Sequence, residues 1–312
     1  MKVLVTGGTG FIGSTVTAKL KEKGYQVSSI GKDYCDFTGN MDNIVSMLEF
    51  EKPDAVIMCH GLIKGIVGNK KTPYQMITEN LRMNSNFIEA CRIARIERVL
   101  YLFGGCSYPS HAKNPIREED LFTGLPDENS KYYSLGKAVN HLQIVAARKE
   151  YGFDWSSCIP GNCYGQNDNF SLEDSHVIPA MIRKFHEAKI RGDSSISLFG
   201  NGFPIRDFIF VEDAAEGIVL AMEKHHGELP INISSGKGIS IKETAEMIKE
   251  IVGFNGEIKW DISQTGGQIC KIFDVERAEQ ILKFKAKTPL KEGIRMTYKW
   301  FCDNIGEKKV RL

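Results

Sequence analysis

KVLVTGGTGFIG, Lys2 to Gly13, is the stretch whose reading decides the fold. KVLVT (2–6) is a short run of apolar and β-branched residues, the composition of a buried strand. Gly7, Gly10 and Gly13 follow in a G-x-x-G-x-x-G spacing, and residues 11–23 then read as a helix. Glycines let the backbone turn tightly and approach a diphosphate, whose charge then sits at the helix N-terminus. A glycine triplet alone also fits a plain tight turn. Here it opens the first strand–helix unit of the chain, which points to dinucleotide binding.

The pattern repeats outward from this unit. YQVSSI (25–30), DAVIMC (54–59), RVLYLF (98–103) and DWSSCI (154–159) read as strands, and residues 73–95 and 131–150 as helices. Alternation at this spacing predicts a parallel sheet with right-handed crossovers. Beyond about residue 165 the pattern loosens into helices near 177–190, 212–224 and 240–252, mixed with short strands and glycine-rich turns. The expected fold is α/β: a Rossmann-type doubly wound parallel sheet with a smaller C-terminal α/β substrate lobe. Residues 1–164 form the dinucleotide-binding domain and residues 165–312 the substrate lobe, with 206–224 packing back on the first domain.

Composition narrows the function classes. The 312 residues are 42% hydrophobic and 25% charged, with a net charge of +1 and both signs interspersed. No basic block marks nucleic acid or an acidic membrane as a partner. No apolar run reaches the roughly 18 residues of a membrane span, and the first residues lack the apolar stretch of a signal peptide. The eight cysteines are scattered with no C-x-x-C pair, which fits a reducing cytoplasm rather than a disulfide framework or a metal site. Helices 73–95 and 131–150 carry apolar stripes that fit either a homodimer or ordinary core.

The end of the second strand bears on the coenzyme. An acid there would accept from a ribose 2′-OH and repel a 2′-phosphate. Here the residues are Ser28, Ser29, Gly31 and Lys32, which leave room for an anion that Lys32 can pair, although Asp33 adjoins it. This favours NADP(H) over NAD(H). Asp36 and Phe37 follow, an acid and an apolar ring placed to hold an adenine edge and face.

YYSLGK (132–137) sets Tyr133 and Lys137 four residues apart, on one face of a helix. A phenol near pKa 10 is a poor acid–base at neutral pH; a nearby ammonium is expected to lower that value and make Tyr133 a proton donor to a carbonyl. The pair also occurs on ordinary helix surfaces. Its place, about thirty residues after the Gly-Gly-Cys-Ser loop of YLFGGCSYPS (101–110), favours catalysis.

These residues resemble the extended short-chain dehydrogenase/reductases, and among them the GDP-L-fucose synthases, NADPH-dependent epimerase–reductases of GDP-4-keto-6-deoxy-D-mannose. The likeness covers nearly the whole chain and is most specific at NCYGQNDNF and DSHVIPAMIRKFHEA (within 162–188); GIVGN (65–69) and FGNGFPIRDFIFVEDAA (199–215) add to it. It implies that Tyr133 protonates the C4 oxygen with support from Lys137, and that Cys106 and His176 move protons at C3 and C5. It places Phe11, Ile12, His60, Gly61, Pro160, Asn162, Cys163 and His176 beside the coenzyme. Arg206 would clamp the diphosphate, and Asn162, Lys184, Phe199 and Lys271 would contact the substrate.

Departures accompany the likeness. Gly104 stands where the family has a serine that hydrogen-bonds the C4 oxygen, and Thr9 stands where a basic residue is often found. In QTGGQICK (264–271), Gly266 and Cys270 replace an acid and an arginine, while Lys271 remains. A GDP-heptose, an enzyme that only epimerises or only reduces, and a non-catalytic dinucleotide-binding protein therefore stay open beside a GDP-4-keto-6-deoxyhexose.

Overall fold

The computed structural model describes residues 1–263, 267–307 and 310–312. The first half alternates strand and helix: β1 (Lys2–Thr6), α1 (Phe11–Glu22), β2 (Gln26–Ile30), α2 (Met41–Glu51), β3 (Ala55–Met58), α3 (Ile66–Lys71), α4 (Pro73–Ile93), β4 (Arg98–Leu102), α5 (Lys131–Tyr151) and β5 (Asp154–Pro160). The second half holds β6 (Asn162–Tyr164), α6 (Val177–Arg191), β7 (Ser195–Phe199), β8 (Ile205–Phe210), α7 (Val211–Lys224), β9 (Ile231–Ile233), β10 (Gly238–Ser240), α8 (Ile241–Val252), β11 (Glu257–Asp261), β12 (Cys270–Lys271) and α9 (Leu290–Asn304).

A six-stranded sheet runs in the order β2-β1-β3-β4-β5-β9, and every pairing in it is parallel. Both faces are covered, because side chains of a strand alternate between them. Val3 and Val5 enter a core with Val16 and Leu20 of α1 and Ile218 of α7. Leu4 enters the opposite core with Ile44 of α2, Phe87 of α4 and Ile144 of α5. The strand order reverses between β1 and β3, so the loops after these strands flank the crevice where ligands bind in such sheets.

A smaller sheet has the order β10-β8-β12, with β6 also pairing β8, and β7 pairs β11 in a two-stranded ribbon. Phe170, Ile182, Phe185, Phe210, Ile248 and Phe301 fill a third core beneath these strands. Helix α8 begins with a capping box in which Ser240 and Glu243 satisfy each other's backbone N–H. No helix of the described residues is long and apolar enough to cross a membrane.

The chain crosses between the sheets more than once. Within 206–224, β8 belongs to the smaller sheet, and only α7 returns to the first sheet beside α1. The sixth strand of the parallel sheet, β9, comes from residues 231–233, which the sequence pattern left in the substrate lobe. Three residues are too few to show a period. Helix α2 was likewise absent from the sequence reading; Asn40 caps it by accepting from Asp42 N.

Candidate active site

The loop after β1 is shaped by close backbone approach. Gly7 has φ +64°, and a Cβ there would lie 2.9 Å from the backbone of His60. Gly13 faces Gly7, and a Cβ on it would fall 2.2 Å from the Gly7 carbonyl oxygen. Gly10, the N-cap of α1, offers no side chain, and the first turn carries no acid. The amides of Phe11, Ile12 and Gly13 thus open the helix with the electrostatics that suit an anion. Any side chain would fill this cradle, and the residues present fit a dinucleotide diphosphate.

The end of β2 is less open than the sequence suggested. Ser28 Oγ donates to Glu51 Oε2 at 2.6 Å, and Ser29 Oγ lies 2.1 Å from where a Cβ on Gly8 would be. The exposed Ser29 and Lys32 remain available, with Gly31 between them. Asp36 is exposed, and the hydroxyl and backbone N–H of Thr38 hold its carboxyl below the usual range. Phe37, expected to present a ring to adenine, is instead packed in the core, 4.8 Å from His60 and 4.6 Å from Phe87 between ring centroids.

His60 joins the end of β1 to α5. Its Nδ1 lies 2.6 Å from Thr6 Oγ1, and its carbonyl accepts from Lys137 Nζ at 3.3 Å. Burial pushes the imidazole pKa down to about 3, so the ring is neutral. Gly61 lies beside Lys137: a Cβ on it would make an ordinary 3.5 Å contact with Nζ. The Lys137 ammonium also sits over the Tyr101 ring, 4.7 Å from its centroid, and Tyr101 Oη donates to the Lys137 carbonyl at 3.1 Å. Burial lowers the lysine pKa to about 7.

Tyr133 lies one turn before Lys137 on α5 and is buried. Its pKa runs opposite to the expectation. Burial raises it well above 10, and the nearby Cys106 adds to the rise. Desolvation of the phenolate outweighs any help from the ammonium, which is engaged by His60 and Tyr101. Tyr133 therefore stands as a protonated acid. A Cβ on Gly104 would be 3.7 Å from Tyr133 Oη and 3.1 Å from Cys106 Sγ. The phenol and the thiol thus flank one small space at the carboxyl end of β4. Ser107 does not reach it, because its hydroxyl donates to the Ser134 carbonyl at 3.1 Å.

Arg206 and Lys271 are paired residues on the adjacent parallel strands β8 and β12, so their side chains share a face. Lys271 Nζ donates to the Gly105 carbonyl at 3.3 Å, which ties this cation to the loop after β4. Burial lowers the pKa of both, and the Arg206 guanidinium depresses that of Lys271 further. Among the described residues, neither has a carboxylate within salt-bridge distance. Lys184 Nζ lies 4.4 Å from the centroid of the exposed Phe199 ring. Asn162 Nδ2 donates to the Asp207 carbonyl at 2.8 Å. Pro160 and Cys163 are buried, and burial raises the Cys163 thiol. His176 is the exposed N-cap of α6, and among the described residues no hydrogen bond joins it to Cys106. Gly266 lies outside the described residues.

The sequence model of the NAD dependent epimerase/dehydratase family matches residues 3–234. The chain belongs to this family. A GDP-L-fucose synthase of Sinorhizobium fredii is 36% identical over 307 residues, which is 98% of this chain and 97% of that one. Among solved structures, a GDP-L-fucose synthetase from Naegleria fowleri bound to NADP superposes with a TM-score of 0.90 at 27% identity, covering 100% of this chain and 95% of that one. A GDP-6-OMe-4-keto-L-xylo-heptose reductase from C. jejuni also gives 0.90, at 26% identity, covering 97% and 98%.

Several residues that organise the site of this epimerase/dehydratase family member were not found by sequence reasoning. Buried Asp207 accepts from Ser235 N, Ser235 Oγ, Gly236 N and Phe273 N, and so pins the smaller sheet to the end of β9. The Phe273 ring fills the space against Gly105, where a Cβ would fall 2.3 Å from it. Asn80 staples the loop after β3 through Leu62 N and Leu62 O. Of these, only Asp207 had a local signal: an acid within the apolar run IRDFIF, where a lone acid needs buried partners.

Proposed function

We propose that the protein is an NADP(H)-dependent epimerase/reductase of a GDP-linked 4-keto sugar. The observation that carries this reading is the space beside Gly104. A phenol and a thiol flank it within 3.7 Å and 3.1 Å of the Gly104 Cβ position, and Lys271 is bonded to the next residue of the same loop. A bound dihydronicotinamide would supply hydride to the sugar C4. Tyr133, kept protonated by burial, gives its proton to the C4 oxygen as negative charge gathers there. Lys137 orients this end of α5 and the coenzyme ribose. Cys106 and His176 exchange the protons at C3 and C5, which the adjacent ketone acidifies. Arg206 and Lys271 take the diphosphate, as a guanidinium fork and an ammonium suit. Lys184 and Phe199 take the nucleotide base, and Asn162 the sugar end.

NADP(H) is preferred to NAD(H) because β2 ends in Ser28, Ser29 and Ile30 and is followed by Gly31 and Lys32, with no acid before Asp33, and because a relative of the same fold is bound to NADP. The coenzyme lies on the first sheet and the GDP-sugar on the lobe formed mainly after residue 164. The enzyme works in the cytoplasm as a homodimer joined through α4 and α5, whose exposed faces carry Tyr74, Tyr132, Val139 and Leu142. The likeness to a heptose reductase favours a GDP-4-keto-heptose as the second reading of the sugar.

The test is NADPH consumption with GDP-4-keto-6-deoxy-D-mannose and with a GDP-4-keto-heptose. At least one is expected to turn over, and Tyr133→Phe should lower kcat about 10²–10⁴-fold. Full rate in Tyr133→Phe would remove the phenol from the mechanism. Deuterium wash-in from D₂O without NADPH consumption would leave an epimerase only. NADPH binding with no turnover of either sugar would leave a non-catalytic dinucleotide-binding protein.

A further inference from the structure

We propose that the Cys106 thiol is the second hydrogen-bond donor to the C4 oxygen during reduction, acting beside Tyr133 in the space that Gly104 leaves open. The inference rests on the reading of the protein as a 4-keto-sugar reductase and assigns Cys106 a role in the hydride step itself.

The geometry points there by elimination among named groups. A carbonyl oxygen that becomes an alkoxide gains from two donors aimed at it. Tyr133 Oη is one. Around the Gly104 Cβ position, the three nearest atoms are Cys106 Sγ at 3.1 Å and Tyr133 Cε1 and Oη at 3.7 Å. The other candidates are committed elsewhere. Ser107 Oγ is bonded to Ser134 O, and Lys271, on β12 rather than on this loop, is assigned with Arg206 to the diphosphate. Among the described residues the Cys106 thiol makes no hydrogen bond, so its proton is available.

Gly104 itself is not demanded by packing. Its φ of −89° and ψ of 149° suit any residue, and the nearest atom is the end of a side chain that can rotate. The glycine therefore provides room, and the thiol borders that room.

The step balances simply. With NADPH bound, its dihydronicotinamide C–H bond would break and leave NADP⁺, the hydride would form the new C4–H bond, the C=O π pair would move to oxygen, and Tyr133 would give the proton that completes the hydroxyl and regain one from water. Cys106 donates a hydrogen bond throughout and keeps its proton. A thiol is a weaker donor than a hydroxyl, so its loss should cost less than a full oxyanion-hole donor, about 10–10²-fold.

The experiment measures NADPH consumption with GDP-4-keto-6-deoxy-D-mannose and a GDP-4-keto-heptose, together with deuterium wash-in from D₂O. Cys106→Ala should lower kcat for reduction about 10–10²-fold with little change in KM. Cys106→Ser should keep the reduction rate within a few-fold while losing wash-in, because a hydroxyl donates well but is a poor base near neutrality. Gly104→Ser in the Cys106→Ala background should recover reduction, and an unchanged NADPH affinity of the alanine variant shows that it folds. As a readout independent of turnover, alkylation of Cys106 by iodoacetamide should be slowed by the keto sugar with NADP⁺ and not by GDP with NADP⁺.

Unchanged kcat in Cys106→Ala would overturn the proposal and leave the thiol as an epimerisation base alone. Equal losses in the serine and alanine variants, with no recovery by Gly104→Ser, would overturn it as well. So would alkylation indifferent to the keto sugar. A wild-type protein that reduced neither sugar would overturn the functional reading, and this inference with it.

Discussion

The glycines after β1 and the glycines after β4 use the missing side chain in opposite ways. At Gly13 a Cβ would fall 2.2 Å from a backbone oxygen, in a helix that cannot move without leaving the sheet. At Gly105 it would strike the Phe273 ring at 2.3 Å; that ring can shift, but only within a filled core. At Gly104 it would meet a rotatable thiol at 3.1 Å. The first glycine is compelled by backbone, the second by a neighbour, and the third only leaves space. A glycine in a functional loop is thus a statement about what lies across from it, and sequence shows only the glycine.

Substitutions ordered by this logic sharpen the contrast. Gly13→Ala should do most damage, destabilising the protein by about 2–3 kcal/mol and abolishing saturable NADPH binding in a fluorescence titration. Normal binding by this variant would break the comparison at its strongest point. Gly105→Ala should cost about 1–2 kcal/mol in thermal or denaturant unfolding, and the cost should shrink when Phe273→Leu accompanies it, because touching residues couple. Gly104→Ala should fall within about 0.5 kcal/mol of wild type. A loss as large as that of Gly105→Ala would mean that packing, not room, fixed the glycine at 104.

Lys137 lies between the two loops, bonded to His60 O and near Cys106. Its pKa falls from 10.5 in the unfolded chain to about 7 in the fold. Between these values the unfolded state binds more protons, so this residue makes stability rise with pH from about 7 toward 10.5. Lys137→Met should therefore raise Tm below pH 7 by about 2 °C or more, with the gain vanishing toward pH 10.5, while reduction is lost. A gain independent of pH would place the effect in packing rather than charge. By size this effect falls between those of Gly105→Ala and Gly104→Ala.

Much of the frame was legible because its signals are local. The G-x-x-G-x-x-G loop, the apolar runs of β1, β3, β4 and β5, and the Tyr133–Lys137 spacing each lie within a few residues of chain. Strand β9 was not legible: Ile231–Ile233 is too short for a period and joins the sheet only by pairing with β5. The role of Phe37 was misread for a related reason, since nothing beside it in sequence reveals that His60 and Phe87 enclose its ring. Ser28 looked free for an anion until Glu51 met it.

The sequence by itself determined the alternating α/β frame, the dinucleotide cradle and the identity of the reactive side chains, because periodicity and residue chemistry are properties of neighbours along the chain. Only the tertiary structure decided that Tyr133 is a protonated acid, that Lys137 answers to His60 and Tyr101, and that Gly104 opens a space shared by a thiol and a phenol. Those outcomes depend on desolvation and on distances between groups far apart in sequence, and both arise only when the chain has packed.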